Sequence, residues 1–191
     1  YDIGRAGPTD VENRMSFAGT SSADTAHITV NGRGSSGVTN TLQFGDSSTA
    51  ADARIDNIGG TVRFADNATA SRAAVQQAAG STLDVAPITS AGGTAIGSLS
   101  GAGSVVLGGT KLTLGGLGGS ATLTATISDK GSASTATGGS LVKVGAGSLT
   151  LTGANTYTGG TILKEGRINV GHDSALGTGT LSMDDGTTLG F

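Results

Sequence analysis

The stretch Phe44–Ile55, FGDSSTAADARI, occurs in three related copies that align without gaps. The other two are FAGTSSADTAHI at Phe17–Ile28 and FADNATASRAAV at Phe64–Val75. In each copy an aromatic residue is followed eleven positions later by a β-branched residue, and alanine stands two positions before the latter. The copies are offset by 27 and 20 residues, which is the size of one coil of a solenoid.

Short stretches that alternate apolar and polar residues precede two of these copies, at Leu42–Phe44 and Val62–Phe64. A period of two predicts strands, and the small polar residues that follow predict turns. We therefore expect stacked parallel strands in which Phe44 lies on Phe64 and Ile55 lies on Val75. Two alternatives remain open: a helix over Ala68–Ala79, and an antiparallel sandwich, although only Asn31-Gly32 and Asp185-Gly186 have the composition of tight hairpins.

The composition agrees with a solenoid and excludes several classes of protein. The 191 residues include 35 Gly, 3% aromatic residues and 13% charged residues, so a large aromatic core is not available. A coil needs only a small interior of Leu, Ile, Val and Ala. The net charge of −3 predicts no nucleic-acid partner, and the absence of Cys excludes disulfides and thiolate chemistry. No apolar run approaches the length of a membrane helix, so we expect no membrane insertion by this segment.

The C-terminal part of the chain carries the most specific motif. The segment 141–170, LVKVGAGSLTLTGANTYTGGTILKEGRINV, resembles the passenger-associated transport repeat of autotransporters. The pattern is carried by Lys143, Gly145, Gly147, Leu149, Leu151, Gly153, Asn155, Tyr157, Gly159, Thr161, Gly166, Ile168 and Val170, with Ile168 in place of the usual Leu. The tail Ser174–Met183 is similar to the segment that usually follows.

This resemblance implies an all-β protein, a right-handed single-stranded parallel β-helix, for which we expect about nine coils. One continuous solenoid would comprise N-terminal coils over 1–95, Gly-rich coils over 96–140 and the repeat over 141–191. The resemblance also implies type V secretion, location at the bacterial cell surface or outside the cell, and a C-terminal translocator barrel in the same parent chain. The chain is accordingly expected to be a fragment, and the repeat to assist export and folding.

The motif residues have simple structural interpretations. Apolar residues of the repeat are predicted to point inward, and its glycines to form corners of the coils. The inward set is Leu149, Leu151, Ile162, Ile168 and Val170, and the corner set is Gly145, Gly147, Gly153, Gly159 and Gly160. Asn155 is expected to stack with polar neighbours or to bond its own turn, and Tyr157 to cover the edge of a coil.

Residues with catalytic or ligand chemistry are few and scattered. His172-Asp173-Ser174 contains the residue types of a hydrolase triad, but as sequence neighbours, which predicts a turn instead. His27 aligns with Arg54 and Ala74 of the other copies and is expected to face outward. Asp46 and Asp66 share one repeat position, where a solvated turn pair is favoured over a weak calcium site. No cofactor, metal or catalytic residue is therefore predicted.

Three functions remain open from the sequence. The first is a non-enzymatic exported scaffold that binds a host-cell or sister-cell surface receptor through ladders of Ser and Thr. The second is a solenoid that assembles with itself into a surface fibre. The third is a carbohydrate-active β-helix enzyme, which would need clustered charges that the 25 dispersed charged residues do not suggest.

Overall fold

The computed structural model describes residues 2–3, 13–32, 38–131 and 134–191, and these ranges contain strands and turns but no helix. Within them, no helix is long and apolar enough to cross a membrane. The strands are β1 Asp2–Ile3, β2 Arg14–Phe17, β3 His27–Asn31, β4 Thr41–Phe44, β5 Arg54–Ile58, β6 Thr61–Phe64, β7 Ala70–Gln77, β8 Thr82–Asp84, β9 Thr94–Gly101, β10 Ser104–Val106, β11 Lys111–Leu114, β12 Ala121–Leu123, β13 Thr126–Ser128, β14 Ser140–Lys143, β15 Ser148–Leu151, β16 Thr161–Leu163, β17 Arg167–Val170, β18 Leu181–Met183 and β19 Thr188–Gly190.

The strands form two stacks, and from β1 to β11 successive strands alternate between two sheets. Sheet A runs in the order β1-β3-β5-β7-β9-β11-β14-β16-β18, and sheet B in the order β2-β4-β6-β8-β10-β13. From β9 onward sheet A has a second branch, β12-β15-β17-β19. The chain is therefore a parallel β-solenoid, in agreement with the expected fold class.

The stacking predicted from the three repeat copies is confirmed residue by residue. Phe17 pairs with Phe44 and Phe44 with Phe64 in sheet B, while Ile55 pairs with Val75 in sheet A. The rings of Phe44 and Phe64 are stacked with centroids 5.0 Å apart and planes 8° apart. Alternate residues of β4 and β6 are buried, so the period of two in the sequence is the inward–outward alternation of each strand.

Two alternatives from the sequence are wrong. The region proposed as a helix contains β7, because its residues pair with β5 on one side and β9 on the other. The antiparallel sandwich fails because all pairs between the described strands are parallel.

The solenoid has about seven coils, slightly fewer than the nine expected. The difference arises because some coils are long: Leu112 and Leu141, which are register partners, lie 29 residues apart. The right-handed sense and the division into three sections stay predictions.

Candidate functional site: interior contacts of residues 141–191

The 141–170 segment contains the strands β14, β15, β16 and β17, and Asn155 and Tyr157 lie in the loop between β15 and β16. Leu149, Leu151 and Ile168 are buried as expected, and half-buried Val170 packs against the core. The expectation for Ile162 is wrong, since Ile162 is only half-buried while Thr161 and Leu163 on either side are buried. Side chains alternate between the two faces of a strand, so Ile162 cannot face inward when its neighbours Thr161 and Leu163 do.

Lys143 is a buried cation inside the solenoid, with 1% of its surface exposed. It is the register partner of Leu114 in one coil and Leu163 in the other, so its aliphatic stem lies in an apolar column. The Nζ atom donates to the carbonyl oxygens of Val144 at 2.7 Å, Gly145 at 2.6 Å and Glu165 at 3.2 Å.

These three bonds use the full donor capacity of the ammonium group of Lys143. Burial lowers the pKa of this group, and the charge of Glu165 raises it in part. The Glu165 carboxylate also accepts from the backbone N–H of Gly145 at 3.1 Å. Lys143 and Glu165 together tie the corner after β14 to the corner after β16.

Asn155 and Thr156 make the hydrogen bonds to the edge of sheet B that a further strand would make. The last strand of that sheet is β13, and its Ile127 N–H donates to Asn155 Oδ1 at 2.7 Å. Thr156 N–H donates in turn to the Ile127 carbonyl at 2.9 Å. On its other side, Asn155 Nδ2 donates to the Ala175 carbonyl at 2.6 Å.

The buried amide of Asn155 thus joins three successive coils. Of the two roles expected for it, stacking with polar neighbours or bonding its own turn, the second is replaced by bonds to the coils on both sides. A side-chain amide can do this because it offers both a donor and an acceptor, as a backbone peptide does.

Tyr157 lies inside the coil and not at its edge, which corrects the expectation. Its hydroxyl bonds to Thr161 Oγ1 at 2.5 Å, and Thr161 Oγ1 donates onward to the Leu176 carbonyl at 3.1 Å. Burial raises the pKa of Tyr157 to about 12, although the bond with Thr161 lowers it in part. The chain of three oxygens connects the Tyr157 ring to the following coil.

The glycines of the segment let neighbouring coils approach closely. A Cβ atom on Gly153 would lie 2.1 Å from the Ala125 carbonyl oxygen, and one on Gly147 would lie 2.2 Å from that of Gly119. Gly145 has a φ of 74°, a left-handed conformation that favours glycine. The predicted corner role is therefore supported, with close backbone approach as its main physical cause.

Residues 141–170 match the family model of the passenger-associated-transport-repeat. This segment is an autotransporter passenger repeat. The chain is also similar to the adhesin BmaC autotransporter of Brucella suis biovar 1 (strain 1330), with 53% identity over 49 residues. That match covers 25% of this chain and about 1% of the length of the relative. No solved structure matches the chain significantly.

An autotransporter passenger is displayed at the cell surface or secreted, and the passenger repeat indicates the same location for this chain.

Within the repeat, the family pattern names Lys143, Asn155 and Tyr157 without giving the direction of their side chains. Alternation from buried Leu141 could have placed Lys143 inside, because the two residues lie two positions apart on one strand.

One contact that supports the passenger repeat has no signal in the sequence. Asp129 is buried, and its Oδ2 atom accepts from Gly138 N–H at 3.1 Å, Thr158 N–H at 3.1 Å and Thr158 Oγ1 at 2.7 Å. Asp129 and Thr158 are 29 residues apart. Their contact depends on the length of the coil between them, which no local pattern reports.

The two histidines lie apart and form no catalytic arrangement with each other. His172 is exposed, and its Nδ1 accepts from Ser174 N–H at 3.0 Å within the predicted turn. His27 faces outward as expected, with Nε2 2.6 Å from Asp56 Oδ2. Burial opposes ionisation of Asp56, but hydrogen bonds from His27 and Arg54 hold its pKa below the ordinary value.

Asp46 and Asp66 occupy equivalent corners in adjacent coils, with φ of 54° and 57°. Their carboxylates bind backbone groups of the preceding coil: Asp66 Oδ2 accepts from Asp46 N–H at 3.0 Å, and Asp46 Oδ2 accepts from Gly19 N–H at 2.8 Å. The favoured interpretation as a turn pair is supported. Among the described residues, no group of three or more His, Cys, Asp or Glu side chains is arranged to hold a metal ion.

Proposed function

We propose that this chain is part of an exported passenger and that its 141–191 section promotes export and folding of the coils on its N-terminal side. The observation that carries the proposal is Asn155, whose amide bonds the coils before and after its own. In a solenoid each coil contacts only its neighbours, so folding spreads from any section whose coils are firmly joined. Lys143, Asn155 and Tyr157 join the coils of the 141–191 section, so folding can begin in this section.

The experiment uses the full parent protein expressed at the surface of its host. Deleting residues 141–170, or replacing Asn155 by Ala, should lower the amount of protease-resistant passenger outside the cell. The amount of translocator in the outer membrane serves as the control for expression. Wild-type display of a protease-resistant passenger after the deletion would refute the role in export and folding.

We further propose that the role is non-enzymatic and that outward faces of the solenoid adhere to host-cell or sister-cell surfaces. The similar Brucella protein is named an adhesin. On this chain, sheet B presents a ladder of hydroxyl side chains, one from each successive strand. The ladder consists of Thr41, Thr61, Thr82, Ser104 and Thr126, which are register partners on β4, β6, β8, β10 and β13.

A regular ladder of hydroxyl groups offers many weak polar contacts to a partner surface. Beads that carry the purified chain should bind host cells or the producing bacterium, and replacing Thr61 and Thr82 by Lys should reduce the binding. Equal binding by beads that carry an inert protein would refute adhesion. Sedimentation of the free chain tests the alternative of a self-assembling fibre, which requires oligomers that grow with concentration.

A further inference from the structure

Asn57 and Gln77 form a pair of buried amides inside the N-terminal half of the solenoid. Asn57 is 1% exposed and Gln77 is 3% exposed. They are register partners on β5 and β7, so their backbones lie about 4.8 Å apart. The next residues of the same column are Val30 on one side and Gly101 on the other, and neither has a polar side chain.

The amino group of each amide is bonded to an atom of the next coil. Asn57 Nδ2 donates to the Thr82 carbonyl at 3.0 Å, and Gln77 Nε2 donates to the Ser104 carbonyl at 3.4 Å. Gln77 Nε2 also donates to Ser81 Oγ at 3.3 Å. The Ser81 hydroxyl hydrogen is used in a bond to the Ala78 carbonyl, so Ser81 Oγ acts as the acceptor for Gln77. A carbonyl oxygen can only accept, so these partners fix which end of each amide is nitrogen.

The two amide oxygens are consequently buried acceptors without a donor. Asn57 Oδ1 and Gln77 Oε1 have no hydrogen-bond partner among the described residues. Leaving a buried polar atom unpaired costs about 1 to 3 kcal/mol, and such atoms in native proteins are generally satisfied by the chain or by ordered water. Since Asn57 and Gln77 are register partners on adjacent strands, one ligand with two donor hydrogens would satisfy both acceptors.

We propose that Asn57 Oδ1 and Gln77 Oε1 bind one internal water molecule, which donates one hydrogen bond to each oxygen. A water molecule supplies two donor hydrogens, and buried waters typically bridge otherwise unsatisfied polar groups. A groove of about 330 Å³, lined by both residues together with Ile58 and Ala78, lies against this part of the coil.

The water gives this interior position a structural purpose. Each amide already links sheet A to the following strands of sheet B, through Thr82 on β8 and Ser104 on β10. The bridging water adds the link along the solenoid axis, between coils that carry Asn57 and Gln77. Asn57, the water and Gln77 then form one hydrogen-bonded unit in the column of inward residues. Val30 lies on one side of this unit, and Gly101, which has no side chain, lies on the other.

The test is water-selective NMR on the isotope-labelled chain. The side-chain amide protons of Asn57 and Gln77 should show cross-peaks to a long-lived water. Asn155 provides a control within the same molecule, because its oxygen and nitrogen both have backbone partners. Cross-peaks at Asn57 and Gln77 but not at Asn155 would support the proposal, and their absence at the first two residues would overturn it.

A variant and a crystal structure complete the test. Val30 occupies the same column, so Asn57→Val retains a side chain that the interior accommodates. This variant should lose the cross-peak at Gln77, and a retained cross-peak would contradict a shared water. In a high-resolution crystal structure, a peak bonded to both oxygens should be unchanged in caesium salt. An anomalous signal there would show a cation and would overturn the assignment to water.

Discussion

Replacing Asn155 by alanine removes the amide that joins three coils. Ile127 N–H loses its acceptor and the Ala175 carbonyl loses its donor, and both bonds are buried. Each unpaired group costs about 1 to 3 kcal/mol, so the free energy of unfolding should fall by about 2 to 6 kcal/mol. Urea unfolding of the purified chain, followed by circular dichroism, measures this change.

Asn169 is the matched control, because its amide bonds Arg167 and Thr150 on the outside of the solenoid. Water can replace these partners, so Asn169→Ala should cost at most about 1 kcal/mol. Hydrogen exchange gives a local readout: the Ile127 amide should lose protection in Asn155→Ala. Equal losses of stability in the two variants, or unchanged protection at Ile127, would refute the role assigned to Asn155.

Three further predictions concern the same section. Lys143→Met keeps the apolar stem but leaves three carbonyl oxygens without their donor, so urea unfolding should show a loss of at least about 2 kcal/mol. Gly153→Ala places a Cβ atom 2.1 Å from the Ala125 carbonyl oxygen of the preceding coil, and thermal unfolding should show a loss of at least about 2 kcal/mol. Raising the pH from 10 to 12 should remove about 2 kcal/mol of the stability that Tyr157 contributes, because Tyr157 has a pKa of about 12 when folded against 10 when unfolded; absorbance of the tyrosinate ion and urea unfolding measure it.

Each of these predictions has a control. Lys111→Met changes an exposed lysine on β11 and should have little effect; a similar loss would contradict the role of Lys143. A Cβ on Gly119 meets nothing within 4 Å, so a loss in Gly119→Ala equal to that in Gly153→Ala would contradict the steric reason. The Tyr1→Phe background leaves Tyr157 as the only tyrosine, and ionisation near pH 10 in the folded chain would refute its raised pKa.

The sequence was sufficient to predict which residues stack in the N-terminal coils. The eleven-residue spacing between Phe44 and Ile55 fixes one strand in each sheet, and its repetition aligns Phe44 with Phe64. This succeeds because strand alternation and the coil repeat are both local periodicities. It fails at Ile162, where the inward face is chosen by Thr161 and its bond to Tyr157, a contact between the first residue of β16 and the loop before it.

The parallel solenoid and the passenger repeat can both be predicted from the sequence, because each is a periodic pattern of residue types. The tertiary structure alone decided what the polar residues of the interior do. Lys143 bonds the Glu165 carbonyl, Asn155 bonds Ile127 and Ala175, and Asp129 bonds Thr158. These partners lie 20 to 29 residues apart and come together only through the length of each coil, which varies along the chain.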